Sequence, residues 1–214
     1  MESLRLALLW THIFFGFLAL LAGLIALGSA KGGKTHRRAG TVFFNSMLAV
    51  AFSALALASI SHNWYLFYIA VFALYQNYSG YRAVRDKSLR PSPLDWLVWV
   101  VAVVVAVLML LTKHLVLLVF GGIMALLTAR DLMLFSAVLR GKALPKQQWL
   151  IRHIGMMVGA YIATVTAFVV VNLQTFNPMW LPWLAPTALG LPFMAYWMRR
   201  TRQTKKQTSV ASGQ

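Results

Sequence analysis

The chain has 214 residues, of which 60% are hydrophobic and only 11% charged. A soluble domain carries about 25% charged residues, so this composition excludes a water-soluble globular protein and predicts a membrane protein. The formal net charge is +16, but the basic residues lie in short segments between apolar runs, which argues against nucleic-acid binding. Because there is no cysteine, disulfides, iron–sulfur ligation, zinc-thiolate sites and covalent c-type haem attachment are also excluded.

Seven apolar runs predict an all-α integral membrane protein, a single seven-helix bundle over residues 1–198 followed by a basic, disordered tail at 199–214. In chain order the predicted spans are residues 6–28, 42–61, 64–83, 94–112, 115–138, 153–172 and 180–198. The first is expected to be a retained helix, because its apolar run exceeds the core of a signal peptide. The segment 174–186, rich in proline and tryptophan, is expected to lie at the interface before the last span.

The placement of the basic residues predicts the orientation of the bundle. They follow spans one, three, five and seven, as Lys31, Lys34, Arg37 and Arg38, then Arg82, Arg85, Lys87 and Arg90, then Arg140, Lys142, Lys146 and Arg152, and finally Arg199, Arg200, Arg202, Lys205 and Lys206. The opposite side carries only Arg5 and Lys113. Since basic loops stay in the cytoplasm, we predict an outside N-terminus and a cytoplasmic C-terminus.

The sixth span carries a stripe of small residues. Gly155, Gly159, Ala163 and Ala167 recur every four residues, so they share one face of a helix. A neighbouring helix can approach such a face closely. The stripe therefore predicts that this span is the packing centre of the bundle.

Three stretches resemble an uncharacterised bacterial family of multi-pass membrane proteins, a domain of unknown function. They are Lys31-Gly32-Gly33-Lys34-Thr35-His36-Arg37-Arg38-Ala39-Gly40, Tyr78-Ser79-Gly80-Tyr81-Arg82-Ala83 and Gly159-Ala160-Tyr161-Ile162-Ala163-Thr164-Val165-Thr166-Ala167-Phe168. The resemblance implies a bacterial inner-membrane protein. It implies no particular activity.

Histidines near the ends of the spans suggest a redox cofactor. If the first two spans are neighbours, His12 and His62 lie at similar depth, and paired histidines are what axial ligation of haem b or a bare metal requires. His36 and His153 form a conceivable second pair on the inner side. The alternative is that each histidine bonds headgroups or backbone at the interface.

Polar residues at similar depth in the inner half predict a polar pocket. They are Asn45, Gln76, Asn77, Tyr78, Arg82, Arg130 and Asp131. Ionisable groups at membrane depth are costly and usually face the bundle or a wet cavity. We expect Asp131 to share an inward face with Thr128 and Phe135, with Arg130 directed to lipid and Arg82 or His153 as the partner of Asp131. The alternative is a structural hydrogen-bond cluster.

Two functions therefore stay open, and in a third the protein has no chemistry of its own. The favoured one is a redox protein that binds haem b or a quinone and passes electrons. The second is a small ion-coupled transporter with Asp131 as its titrating group. The third is an accessory subunit of a larger membrane complex, and a homo-oligomer is also possible. Retinal binding is disfavoured, because the last span has no lysine between Trp180 and Met198.

Overall fold

The computed structural model describes residues 2–173 and 177–211, with side chains up to residue 201. Within these ranges there are seven α-helices and no β-strand, which confirms the predicted all-α class. The helices are α1 (Glu2–Gly28), α2 (Lys34–Ile60), α3 (Trp64–Arg85), α4 (Pro93–Leu110), α5 (Leu115–Leu139), α6 (Gln148–Asn172) and α7 (Leu181–Ala211).

Local chemistry in the loops fixes the starts of two helices. The Asn63 side chain caps α3 by accepting a hydrogen bond from the Leu66 amide at 3.1 Å. At the start of α4, Ser92 and Asp95 form a capping box ahead of Pro93. Both devices satisfy amides that have no partner within the first helical turn. These two caps therefore fix the starts of α3 at Trp64 and of α4 at Pro93.

Five helices, α1, α2, α4, α5 and α6, are long and apolar enough to cross a membrane. The helix α3 falls short of this criterion because it carries buried polar side chains, among them Gln76, Asn77 and Ser79. It packs against α2, α4, α5 and α6, so protein rather than lipid surrounds much of it. A polar helix is tolerated there because its side chains find partners inside the bundle.

The packing centre is shared by α3 and α6. A Cβ at Gly159 would collide with Gln76 of α3, and one at Gly155 would lie 2.7 Å from Met198 of α7. Ala163 is buried, whereas Ala167 is exposed. The small-residue stripe of α6 is thus a packing face along three of its four positions, and it contacts two different helices.

The last helix differs from the prediction at its C-terminal end. It begins at Leu181, within one residue of the predicted start of the seventh span, and residues 174–176 of the segment expected at the interface lie outside the described residues. It continues to Ala211, although we expected disorder from Arg199. Arginine, lysine and glutamine are good helix formers, so the polar composition that suggested disorder is also compatible with a helix.

Candidate functional site

A buried ion pair joins three helices in the half of the bundle that we predict to be cytoplasmic. Arg152 of α6 donates from Nε to Asp131 Oδ1 at 2.9 Å and from Nη2 to Oδ2 at 2.7 Å. Tyr75 of α3 donates its hydroxyl to the same Oδ2 at 2.6 Å. The side chains of Arg152 and Asp131 are only 7% and 4% exposed. This two-pronged geometry is the strongest form of an arginine–carboxylate contact.

The helices supply the remaining contacts of the pair. Arg152 Nη1 donates to the Ser79 carbonyl at 3.3 Å, and the guanidinium lies 5.7 Å from the centre of the Phe135 ring. Thr128, Asp131 and Phe135 are all buried and Arg130 is exposed, as their helical spacing predicts. All three nitrogens of the Arg152 guanidinium therefore donate to an acceptor, and the group also lies against an aromatic ring.

The predicted partners of Asp131 are wrong. Arg82 and His153 are the partners expected from the sequence, because the predicted sixth span starts at residue 153. The helix α6 begins at Gln148, so Arg152 belongs to its second turn. Arg152 shares one face of this helix with Met156 and Ala160, which are both buried in the structure.

A second polar cluster surrounds Asp95 at the start of α4. Tyr78 donates to Asp95 Oδ1 at 2.9 Å, and Arg82 Nε donates to Oδ2 at 3.2 Å. Arg82 also pairs with Asp86 at 3.1 Å. The Ser88 hydroxyl donates to Asp86, and this hydrogen bond is the main cause that lowers the pKa of that carboxyl. Tyr78 and Arg82 thus belong to this cluster and not to that of Asp131.

The predicted polar pocket is therefore divided. The Asn77 side chain donates to the Phe44 carbonyl of α2 at 3.1 Å and contributes no hydrogen bond to either carboxylate. Asn45 is exposed on α2 and joins neither cluster. Gln76 is only 3% exposed and lies on the Asp131 side, against α6. Of the predicted set, Gln76, Arg130 and Asp131 line one common cavity.

That cavity, hereafter the lateral groove, has a volume of about 580 Å³. Its sides are α5 and α7, which are not packed against each other, and its floor is α3 and α6. The lining is mostly apolar and includes Phe72, Phe120, Ile123, Met156, Leu191 and Met194. At its rim, Leu126, Met133 and Leu191 are 61%, 65% and 48% exposed. The groove thus opens sideways, between two helices, at side chains that face the bilayer.

Two polar atoms in the lateral groove lack partners. Gln76 Nε2 and Thr187 Oγ1 are buried and have no hydrogen-bond partner within the described residues. Buried polar groups are nearly always paired, so each exception calls for an explanation. Thr187 was not among the predicted site residues, because a single threonine in an apolar span carries no pattern. Gln76 and Thr187 both line the groove, so each is a polar side chain there with a hydrogen-bonding atom that has no partner in the described structure.

The predicted pair of His12 and His62 is not formed. His12 Nδ1 lies 3.2 Å from both the Val50 carbonyl and the Ser53 hydroxyl of α2. His62 is exposed in the turn after α2, more than two helical turns beyond Ser53. The two rings therefore lie at different depths.

The inner histidines do come together. The ring centres of His36 and His153 are 6.4 Å apart, with an interplanar angle of 81°. His36 Nδ1 lies 2.9 Å from the Ala26 carbonyl and His153 Nδ1 lies 3.0 Å from the Gly80 carbonyl. The described residues contain no group of three or more histidine, aspartate or glutamate side chains arranged to hold a metal ion.

The helices, their apolar surfaces and the lateral groove together define a multi-pass helical membrane protein. The chain belongs to the family described as Predicted membrane protein (DUF2306), whose family model matches residues 9–149. The first two stretches that carry the resemblance lie within the match, and the third, residues 159–168, lies beyond it. No curated protein and no solved structure matches the chain.

Proposed function

We propose that the protein binds a lipophilic quinone in the lateral groove. The observation that carries the proposal is that Gln76 and Thr187 line a mostly apolar cavity with two unpartnered polar atoms, Nε2 and Oγ1. Both can donate a hydrogen bond, and a quinone presents two carbonyl acceptors on an apolar ring. A few precisely placed polar groups in an apolar cavity of 300–1,000 Å³ are typical of small-molecule sites.

The charges that line the groove favour a neutral headgroup. Asp131 and Arg152 neutralise each other within it, so neither offers a free charge to a ligand. Arg130 is exposed at the rim, where its guanidinium can reach lipid phosphate. This arrangement supports the quinone better than the transporter alternative, because both oxygens of Asp131 already accept hydrogen bonds.

The test compares two ligands that differ only in their hydrogen-bonding groups. A decyl-chain benzoquinone and the corresponding decyl-chain benzene are titrated into the protein in lipid nanodiscs, and binding is followed by equilibrium dialysis. Gln76→Leu and Thr187→Val should each weaken quinone binding about five-fold, the value of one hydrogen bond. Binding of the benzene should not change.

A matched control is Asn45→Leu, which removes an exposed amide outside the groove. It should leave quinone binding unchanged. Equal affinity for the quinone and the benzene in the parent protein would contradict the proposal, as would full quinone affinity in the Gln76→Leu, Thr187→Val double variant.

A further inference from the structure

His36 and His153 are both held in the same tautomer by backbone carbonyls. A carbonyl only accepts hydrogen bonds, so the Nδ1 atoms that face Ala26 O and Gly80 O carry the proton. In a neutral ring the Nε2 atom then keeps its lone pair. Metal-ligating histidines have this arrangement, in which the other ring nitrogen donates to a carbonyl or carboxylate.

Both carbonyls are available for structural reasons. Ala26 lies in the last turn of α1, where carbonyls lack a helical donor, and Lys31 Nζ also donates to it at 3.3 Å. Gly80 lies where α3 packs closely against α6, since a Cβ there would be 3.0 Å from the Met157 amide nitrogen. The rings are thus fixed by four helices at one end of the bundle.

The separation of the rings fits ligation of one metal by both. With a metal–nitrogen distance of about 2.1 Å, the centre of a ligating ring lies about 3.2 Å from the metal. The centres of two such rings are then about 5 Å apart when the metal is tetrahedral. They are about 6.4 Å apart when the rings lie on opposite sides of the metal. The observed separation of the ring centres, 6.4 Å, equals the second of these two separations. Neither Nε2 has a hydrogen-bond partner within residues 2–173 and 177–211.

We propose that His36 and His153 ligate one transition-metal centre through their Nε2 atoms. A haem iron can take two imidazoles on opposite sides, and imidazole also suits free Cu²⁺ or Zn²⁺, with water in the remaining positions. A haem iron and a free metal ion would both use the same two nitrogen ligands. The site is separate from the lateral groove and does not depend on the proposed quinone.

His12 provides the matched control. It is also part-buried with Nδ1 against a backbone carbonyl, that of Val50, but its other neighbour is the Ser53 hydroxyl and not a second histidine. Loss of one ring there removes a similar hydrogen bond without removing a ligand.

The experiment adds either hemin or Cu²⁺ to untagged protein in detergent. Hemin should give the absorption spectrum of a low-spin iron with two imidazoles, and Cu²⁺ should give an electron paramagnetic resonance spectrum with hyperfine splitting from two nitrogens. Success with hemin alone identifies a haem site, and success with Cu²⁺ alone identifies a site for a free ion. His36→Ala and His153→Ala should each abolish the first spectrum and leave one nitrogen in the second, and His12→Ala should change neither.

The spectra of the parent protein can overturn the proposal by themselves, so the test does not require that every variant folds. Splitting from a single nitrogen in the parent, together with no low-spin haem spectrum, would contradict ligation by both rings. So would spectra that His12→Ala removes as fully as His36→Ala does.

Discussion

The ion pair of Asp131 and Arg152 is the clearest example of a single contact that organises the bundle. Taking two charges out of water is costly, and only close geometry with further hydrogen bonds compensates for it. Here Tyr75 and the Ser79 carbonyl supply those bonds. Removing one partner leaves the other buried and uncompensated, which is more damaging than the absence of the whole pair.

We therefore expect Asp131→Asn to lower the free energy of unfolding by about 3 kcal/mol, because the buried guanidinium of Arg152 loses its counter-charge. Adding Arg152→Gln to this variant should restore part of the loss. The measurement is unfolding by SDS titration of the detergent-solubilised protein, with both single variants and the double variant.

The exposed neighbour Arg130 is the control for this pair. Arg130→Gln should leave the unfolding free energy within about 0.5 kcal/mol of the parent. If the decreases in unfolding free energy of Asp131→Asn and Arg152→Gln simply added in the double variant, the two side chains would not be coupled. That result would contradict the ion pair between them.

At the scale of helices, close approach depends on a few glycines with no room for a side chain. Gly121 and Gly122 are neighbours in α5, yet their surroundings differ. A Cβ at Gly121 would lie 2.9 Å from Met109 Cβ and 3.3 Å from the Ala106 carbonyl oxygen of α4, whereas one at Gly122 would meet nothing within 4 Å. Of these two glycines, only Gly121 therefore lies at the close contact of α4 with α5.

Gly121→Ala should destabilise the protein by about 1–3 kcal/mol, because a methyl group is forced against the rigid stem of Met109. Gly122→Ala should be neutral or stabilise by up to about 1 kcal/mol, because alanine is the better helix former. Thermal unfolding of both variants in detergent provides the comparison. Similar destabilisation by the two substitutions would show that α4 and α5 do not meet at Gly121.

The sequence predicts the existence of the helices better than the chemistry between them. Hydropathy places a helix boundary where charge begins, so it started the second span at 42 and the sixth at 153. The structure begins these helices at Lys34 and Gln148, which brings His36 and Arg152 onto helices. A charged residue that is buried by its partner has the same local sequence signal as one in a loop, so the partner of Asp131 could not be identified before the fold was known.

At the scale of the whole molecule, the predicted cytoplasmic loops gather at one end. Lys31, after α1, lies 5.1 Å from the centre of the Trp197 ring on α7. Lys87, after α3, lies 4.8 Å from the Trp149 ring at the start of α6. These contacts agree with helices that alternate in direction along the chain. The orientation of the bundle and its location in a bacterial inner membrane stay predictions.

Single cysteines can test the orientation cleanly, because the chain has none of its own. A cysteine at Asn63 should react with a membrane-impermeant maleimide in intact cells, and one at Lys87 should react only after the membrane is permeabilised. This pattern is expected because lysine and arginine are in excess in the loops on the same side as Lys87, and such basic loops stay in the cytoplasm. The opposite pattern would invert the bundle, and labelling of both positions from the same side would show that α3 does not cross.

The gap between α5 and α7 has a consequence for how binding is measured. A molecule that enters there comes from the surrounding lipid by diffusion in two dimensions, so its relevant concentration is the mole fraction in the bilayer. Doubling the amount of lipid at a fixed total amount of a strongly lipophilic ligand should then halve the occupancy of a weakly filled groove, even though the total ligand concentration in the sample is unchanged. A strongly lipophilic ligand would look tight or weak according to the membrane volume in the sample, and only affinities expressed per lipid would be comparable between preparations.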